Sequence, residues 1–308
     1  MSNSYNELST QASNIFNIGD YVQLGRYYDE PILWRCVDID ENGPLMLTDK
    51  ILTCKSFDAD GNHTYLDGTA QPDNSDKYRV CHGSNIWETS NIRSWLNSTA
   101  TAGNVTWFDG CSPTADKVPY GYNVYDNERG FLAEGNFTAS QRNVINTVTQ
   151  KSLLNELDAN KLKIGGTVEH KNSLSVSDIV QNYSTAYYHN VTDNIFLLDV
   201  KQLNYVYQNS LILGKNYFRG KPTQNAVENS DHDERELSSA NYWCSWTRTP
   251  FTDDISPDGV RYVNMDGRVD YTLAHGNTVG VRPAFYIDLS AIILKSGDGR
   301  ESTPYEAI

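Results

Sequence analysis

Residues Thr278–Leu289 read TVGVRPAFYIDL. Valine, alanine, phenylalanine, tyrosine and isoleucine packed this closely mark a strand buried on both faces, yet an arginine and a proline stand in its middle. Proline cannot donate to a strand ladder, and arginine is rarely buried without partners. Arg282 must therefore meet acceptors that other segments bring to it. A guanidinium holds five N–H donors in a fixed fork, so one side chain can satisfy several backbone carbonyls of irregular loops. Arg282 is expected to be a structural pin rather than a reactive group, and Pro283 to mark a bulge or an edge position.

Just upstream, polar side chains are dense. Between Trp246 and Val279 stand Arg248, Tyr262, Asn264, Asp266, Arg268, Asp270, Tyr271, His275 and Asn277. Alternation in VRYVNMDGRVDY makes Val260, Tyr262 or Val263, Met265 and Val269 available for packing, while Asn264, Asp266, Arg268 and Asp270 face the other way. Asp266-Gly267 is the expected hairpin turn. Two readings fit: solvated loop positions, or a contact surface of aromatic and adaptable polar groups on a stiff hairpin that loses little ordering entropy on binding.

Towards the amino terminus, GDYVQLGRYYDEPILWRCVDIDENGPLMLTD alternates apolar and polar residues and breaks at Asp-Glu-Pro and Glu-Asn-Gly-Pro, the pattern of a three-stranded meander. WETSNIRSWLNS sets Ile92, Trp95 and Leu96 at helical spacing behind Thr89 or Ser90 as N-cap, and FTASQRNVINTV reads as a helix capped at Thr138 or Ser140. In DNIFLLDVKQLNYVY a buried strand, Ile195–Leu198, runs into a helix whose Asp199 and Gln202 have capping-box spacing. Residues 58–83 read as a long loop, and 99–130 and 158–192 as insertions. Residues 1–16 and 291–308 read as tails, which leaves a single domain over 17–290.

The order of these elements resembles a bacterial domain family of unknown function whose members close with W-x-R-S-P, Y-V-x-x-D-G-x-V and G-V-R-P-A-L. Here the series is Trp246-Thr247-Arg248-Thr249-Pro250, YVNMDGRV and GVRPAFYIDL. That family is similar to the C-type-lectin-like fold, which also houses formylglycine-generating enzymes and variable proteins diversified by retroelements. The resemblance implies an α+β fold of short antiparallel sheets, two or three helices and long irregular loops, with the last strand in the middle of a small sheet and Trp246 and Arg282 as structural residues. It also sets residues 246–279 where the variable proteins display their ligand contacts.

The chain has 308 residues, with 25 Lys plus Arg against 39 Asp plus Glu and a net charge of −14. A polyanion meets long-range repulsion from such a surface, so no nucleic-acid partner is expected. No apolar run approaches the ~20 residues that cross a bilayer. The start, MSNSYNELSTQASNIFNIGD, has neither the basic end nor the apolar core of a leader, which points to a cytoplasmic or virion-associated protein unless another export route is used. Five scattered cysteines without a CxxC pair fit thiols of a reducing compartment.

Other chemistry finds little support. Gln71-Pro72-Asp73 matches the tripeptide of a galactose-selective calcium site but lacks its partner motif, and DADGNH at Asp58–His63 has its glycine too early for an EF-hand. Cys81-His82 and the other histidines miss zinc-ligand spacing. Neither G-x-S-x-G nor a phosphate-cradling glycine loop occurs, and Cys244 stands alone where formylglycine-generating relatives use a cysteine pair. No catalytic residue, metal or cofactor is expected. The reading is a non-enzymatic domain that contacts a protein or glycan on a cell surface through the polar residues of 246–279. The alternatives are a formylglycine-generating-type enzyme or hydrolase, and an accessory structural domain of a surface or phage particle.

Overall fold

The alternating amino-terminal segment folds as β1 (Tyr21–Tyr27), β2 (Glu30–Asp40) and β3 (Gly43–Thr48), followed by the short β4 (Thr53–Cys54). The computed structural model describes residues 15–59, 75–154, 174–179, 188–230, 241–251 and 257–307. The first hairpin turns at Tyr28 and Asp29, both at positive φ (48° and 59°), slightly before the expected break. Such a turn matches the right-handed twist of its strands. Then come β5 (Ile145–Asn146), β6 (Val148–Leu153), β7 (Leu174–Ser175), β8 (Tyr188–Asp193) and β9 (Phe196–Leu197). The carboxy-terminal part holds β10 (Ser245–Pro250), β11 (Gly259–Val263), β12 (Arg268–Leu273), β13 (Gly280–Val281), β14 (Pro283–Ile287), β15 (Leu294–Ser296) and β16 (Tyr305–Ala307). Together with short helices they make a mixed α+β fold.

One sheet runs β15-β16-β1-β2-β3-β14-β5, with β9 also on β14; a second runs β4-β13-β10-β11-β12-β7; β6 and β8 form a separate ribbon. The stretch Gly280–Ile287 belongs to both large sheets. Its first part, β13, lies in the second sheet and its continuation, β14, in the first, so the chain changes sheets at Arg282. Its antiparallel companion makes the same crossing, since β3 pairs with β14 (Met46↔Phe285) and β4 with β13 (Cys54↔Gly280).

A crossing takes backbone groups off the ladder, and buried carbonyls need donors. Arg282, 5% exposed, supplies them. Its Nε donates to Thr48 O at 2.9 Å and Nη2 to Asp49 O at 3.2 Å, on the companion strand. Its Nη1 donates to Tyr217 O at 2.9 Å and Phe218 O at 3.4 Å, in the loop lying over the crossing. Pro283 opens β14, a position where a missing ladder donor is tolerated. The rest of β14 is buried on both faces. Phe285 meets Trp34 edge to face with ring centroids 4.7 Å apart, and Trp34 Nε1 donates to Leu24 O at 2.8 Å.

The helix starts follow their caps. Ser90 accepts from Arg93 N ahead of the helix Asn91–Leu96. Thr138 with Gln141, and Asp199 with Gln202, form complete capping boxes ahead of Ala139–Asn143 and Val200–Gln208. No helix among the described residues is long and apolar enough to cross a membrane.

Four expectations need correction. Residues 291–307 are not a tail: β16 adds in parallel to β1 (Val22↔Tyr305) and β15 adds to β16. The edge of β1 would otherwise present a row of unpaired backbone groups. Phe16, assigned to the first tail, is fully buried and meets Tyr305 edge-on. Within 158–192, β8 pairs with β6 along six residues, so that span is not simply an extended loop. Ser75–His82 is a helix inside the expected loop 58–83, while Gln71-Pro72-Asp73 and most of DADGNH lie outside the described residues.

Arg282→Lys leaves a point donor where a fork reached four carbonyls. The loss is expected to cost about 2 kcal/mol and to lower the melting temperature by about 5 °C, read by circular dichroism. An unchanged melting curve would remove Arg282 as the pin of the crossing.

Candidate functional site

The polar stretch 246–279 folds on the outer half of the second sheet. In β10–β12, Trp246, Tyr262 and Asp270 align across the strands, as do Arg261 with Tyr271 and Val263 with Val269. All of β10 is buried, while Arg268, Tyr271 and Leu273 of β12 are exposed. Among the described residues only the two-residue β7 lies beyond β12 in the sheet, and Arg268, Tyr271 and Leu273 keep their side chains in solvent.

The β11–β12 loop, Asn264 to Gly267, closes with Gly267 N donating to Asn264 O at 2.8 Å. Gly267 has φ 91°, and a Cβ there would lie 3.0 Å from Phe218 Cζ. The tip thus sits on Phe218 and Arg219, and Arg219 Nη2 donates to Met265 O. Since Phe218 O is itself held by Arg282, the hairpin tip is tied indirectly to the sheet crossing.

Among the expected contact residues, Asp266, Arg268 and Tyr271 are exposed, and Tyr262, Asn264 and Asp270 are half-buried. Tyr271 lies flat on Phe251 (3.7 Å between centroids, 8° between planes), and the Arg261 guanidinium stands 5.3 Å from the Phe251 ring. That stack makes Tyr271 a braced aromatic surface. Burial pushes the Tyr262 phenol up to about 12, helped by the nearby Cys244, Asp270 and Asp266, so it stays neutral near pH 7.

Two expected contact residues serve the interior instead, and a third is half-buried. Arg248, 2% exposed, donates to Leu197 O at 2.7 Å, Gln202 Oε1 at 2.6 Å and Asp199 Oδ2 at 3.2 Å, locking the cap of the helix Val200–Gln208. Asn277, also 2% exposed, holds a turn through Pro119 O at 2.7 Å and Tyr122 O at 2.8 Å. His275 is half-buried with its ring 5.2 Å from that of His82, which pairs with Asp258. Acceptors far away in sequence claimed Arg248 and Asn277. Met265, expected to pack, is 37% exposed at the hairpin tip. Trp246 is buried, its Nε1 donating to Lys55 O at 2.8 Å.

Next to the tip opens a cleft of about 390 Å³ that the sequence reading missed. Lys50, Lys215, Arg219 and Lys221 line it, with Tyr217, Tyr242 and the carboxylate of Asp49. Arg219 lies over the Tyr242 ring at 3.9 Å, and Lys221 Nζ is 5.2 Å from the same ring. Lys215, Arg219 and Lys221 fall within seven residues, but Lys50 and Tyr242 come from elsewhere in the chain, so no single motif announces the cleft.

Known families bear on the same residues. The model of a domain of unknown function, DUF6273, matches residues 42–289. The chain belongs to that family. No curated protein and no solved structure matches it. The DUF6273 span takes in both sheet-crossing segments, the buried Arg248, Arg261 and Arg282 and the β11–β12 hairpin, whereas β1, β2, β15 and β16, which adjoin in the first sheet, fall outside it.

In this DUF6273 domain Cys244, the one cysteine of the carboxy-terminal part, lies near a thiol from the amino-terminal part. It packs against the small buried cluster that contains Cys54, with Ile51 and Trp243. Burial drives the Cys54 thiol far above its ordinary range, so it is protonated at neutral pH and a poor nucleophile.

Interior and surface roles separate by stability. Arg248→Ala strands the Asp199 carboxylate and is expected to cost about 3 kcal/mol; Asn277→Ala leaves two carbonyls without a donor and costs about 1–2 kcal/mol. Arg268→Ala should stay within about 0.5 kcal/mol of the parent. Urea titration of the three variants checks the order, and equal midpoints would return Arg248 and Asn277 to the surface.

Proposed function

We propose that this DUF6273 domain is a non-enzymatic ligand-binding domain of C-type-lectin-like type, which contacts a protein or glycan on a cell surface through the β11–β12 hairpin. One observation supports this most. Asp266, Arg268 and Tyr271 are exposed on a hairpin whose intervening Val260, Arg261, Val263 and Val269 are buried, and whose tip is tied down by Arg219. The closing motif series speaks for the fold assignment.

A contact made by this hairpin orders little on binding, since Tyr271 is already stacked and the tip already bonded. Tyr271 offers a flat apolar face to a sugar ring or a side chain, and Arg268 and Asp266 give donors and acceptors beside it. Half-buried Tyr262 and Asp270 set the boundary of the contact.

Screening on glycan and surface-protein arrays, then titrating the strongest hit, tests the proposal. Tyr271→Ala and Arg268→Ala should each weaken that hit by about tenfold or more, the scale of an aromatic or arginine hot spot. Arg268→Ala should melt like the parent, Tyr271→Ala should lose about 1 kcal/mol with the Phe251 stack while remaining folded, and Lys295→Ala on β15 should bind normally. Full affinity in both hairpin variants would move the contact surface elsewhere.

A further inference from the structure

We propose that the cleft beside the hairpin tip is a binding site for an oxyanion, the carboxylate, sulfate or phosphate group of a small acidic ligand. The site is separate from the hairpin contact and does not depend on it.

Charge is the first argument. In a chain of net −14, Lys50, Lys215, Arg219 and Lys221 converge on one concavity whose single lining carboxylate among the described residues is Asp49. Surface cations of an acidic protein ordinarily find carboxylates. None of these four forms an ion pair within 4.0 Å among the described residues.

Behind the lining lie two more positive charges. The guanidinium groups of Arg35 and Arg282 each stand 4.6 Å from the centroid of the Tyr217 ring. Arg282 donates to backbone carbonyls alone. Arg35 does likewise, to Gly19 O at 3.2 Å, Leu213 O at 2.9 Å and Ile212 O at 3.4 Å. Carbonyl dipoles solvate these charges without cancelling them, and their field reaches the cleft with little screening from water.

Stiffness is the second argument. The loop carrying Leu213 to Arg219 is tied by Arg35 at its start, by Arg282 at Tyr217 and Phe218, and by Met265 O at Arg219. A site built this way needs little ordering when a ligand enters. Tyr217 and Arg219 both line the cleft, and the Tyr217 hydroxyl and Arg219 Nε are buried behind it without a hydrogen-bond partner among the described residues. The volume of about 390 Å³ suits a monosaccharide or a comparable small molecule. A long polyanion would bring most of its charge against the acidic remainder of the surface.

Isothermal titration of the full chain at low ionic strength with glucuronate, inorganic sulfate and inorganic phosphate, and with glucose as the neutral counterpart, tests the site. At least one acid should bind while glucose does not, and the preferred acid separates an acidic sugar from a sulfated or phosphorylated ligand. The double variant Lys215→Gln/Lys221→Gln should lose about tenfold or more in affinity with an unchanged melting temperature, as removal of two uncompensated charges requires. Tyr271→Ala on the hairpin should leave the affinity unchanged. Absence of binding by all three acids at about 10 mM, equal binding of glucose and glucuronate, or full affinity in the double variant would overturn the proposal.

Discussion

The structure depends on a single buried guanidinium at the place where two strands leave one sheet and enter another. Regular ladders satisfy their own carbonyls, but a sheet crossing cannot. Arg282 answers on both sides of that crossing, taking Thr48 O and Asp49 O from the companion strand and Tyr217 O and Phe218 O from the loop above. The arginine that looked out of place in an apolar strand is what allows the strand to serve two sheets.

From that point stiffness passes outward. Phe218 carries the hairpin tip, Arg219 holds Met265 O, and Arg35 ties the start of the same loop. The exposed hairpin and the basic cleft therefore share one wall. Segments without regular secondary structure are ordinarily the mobile parts of a domain. Here a short loop is bonded at several carbonyls, so a polar surface can be held in place without a long ladder of its own.

Polar density in the sequence pointed to the right region and mixed two populations within it. Arg248 and Arg268 lie on neighbouring segments with the same side-chain type. Arg248 reaches Leu197 O, Gln202 and Asp199, and is buried; Arg268 has no such cage and stays in solvent. Asn277 and Asn264 divide in the same way, one holding Pro119 O and Tyr122 O, the other at the hairpin loop. The cleft was harder still, because its cations come from two separate stretches of chain, Lys50 and residues 215–221, and none sits in a recognisable motif.

Local physics is what the amino-acid order determined unaided: the meander of β1–β3, the capped helices behind Ser90, Thr138 and Asp199, the hairpin near Gly267, and the demand of Arg282 for many acceptors. Each rests on interactions within a few residues or on the needs of one side chain. Tertiary structure alone decided which carbonyls met that demand, that Gly280–Ile287 would span two sheets, that β16 would cover the edge of β1, and that scattered lysines would meet in one cleft. Those outcomes turn on pairings between residues often more than a hundred positions apart, and the burial of a polar side chain is set by partners that no local pattern specifies.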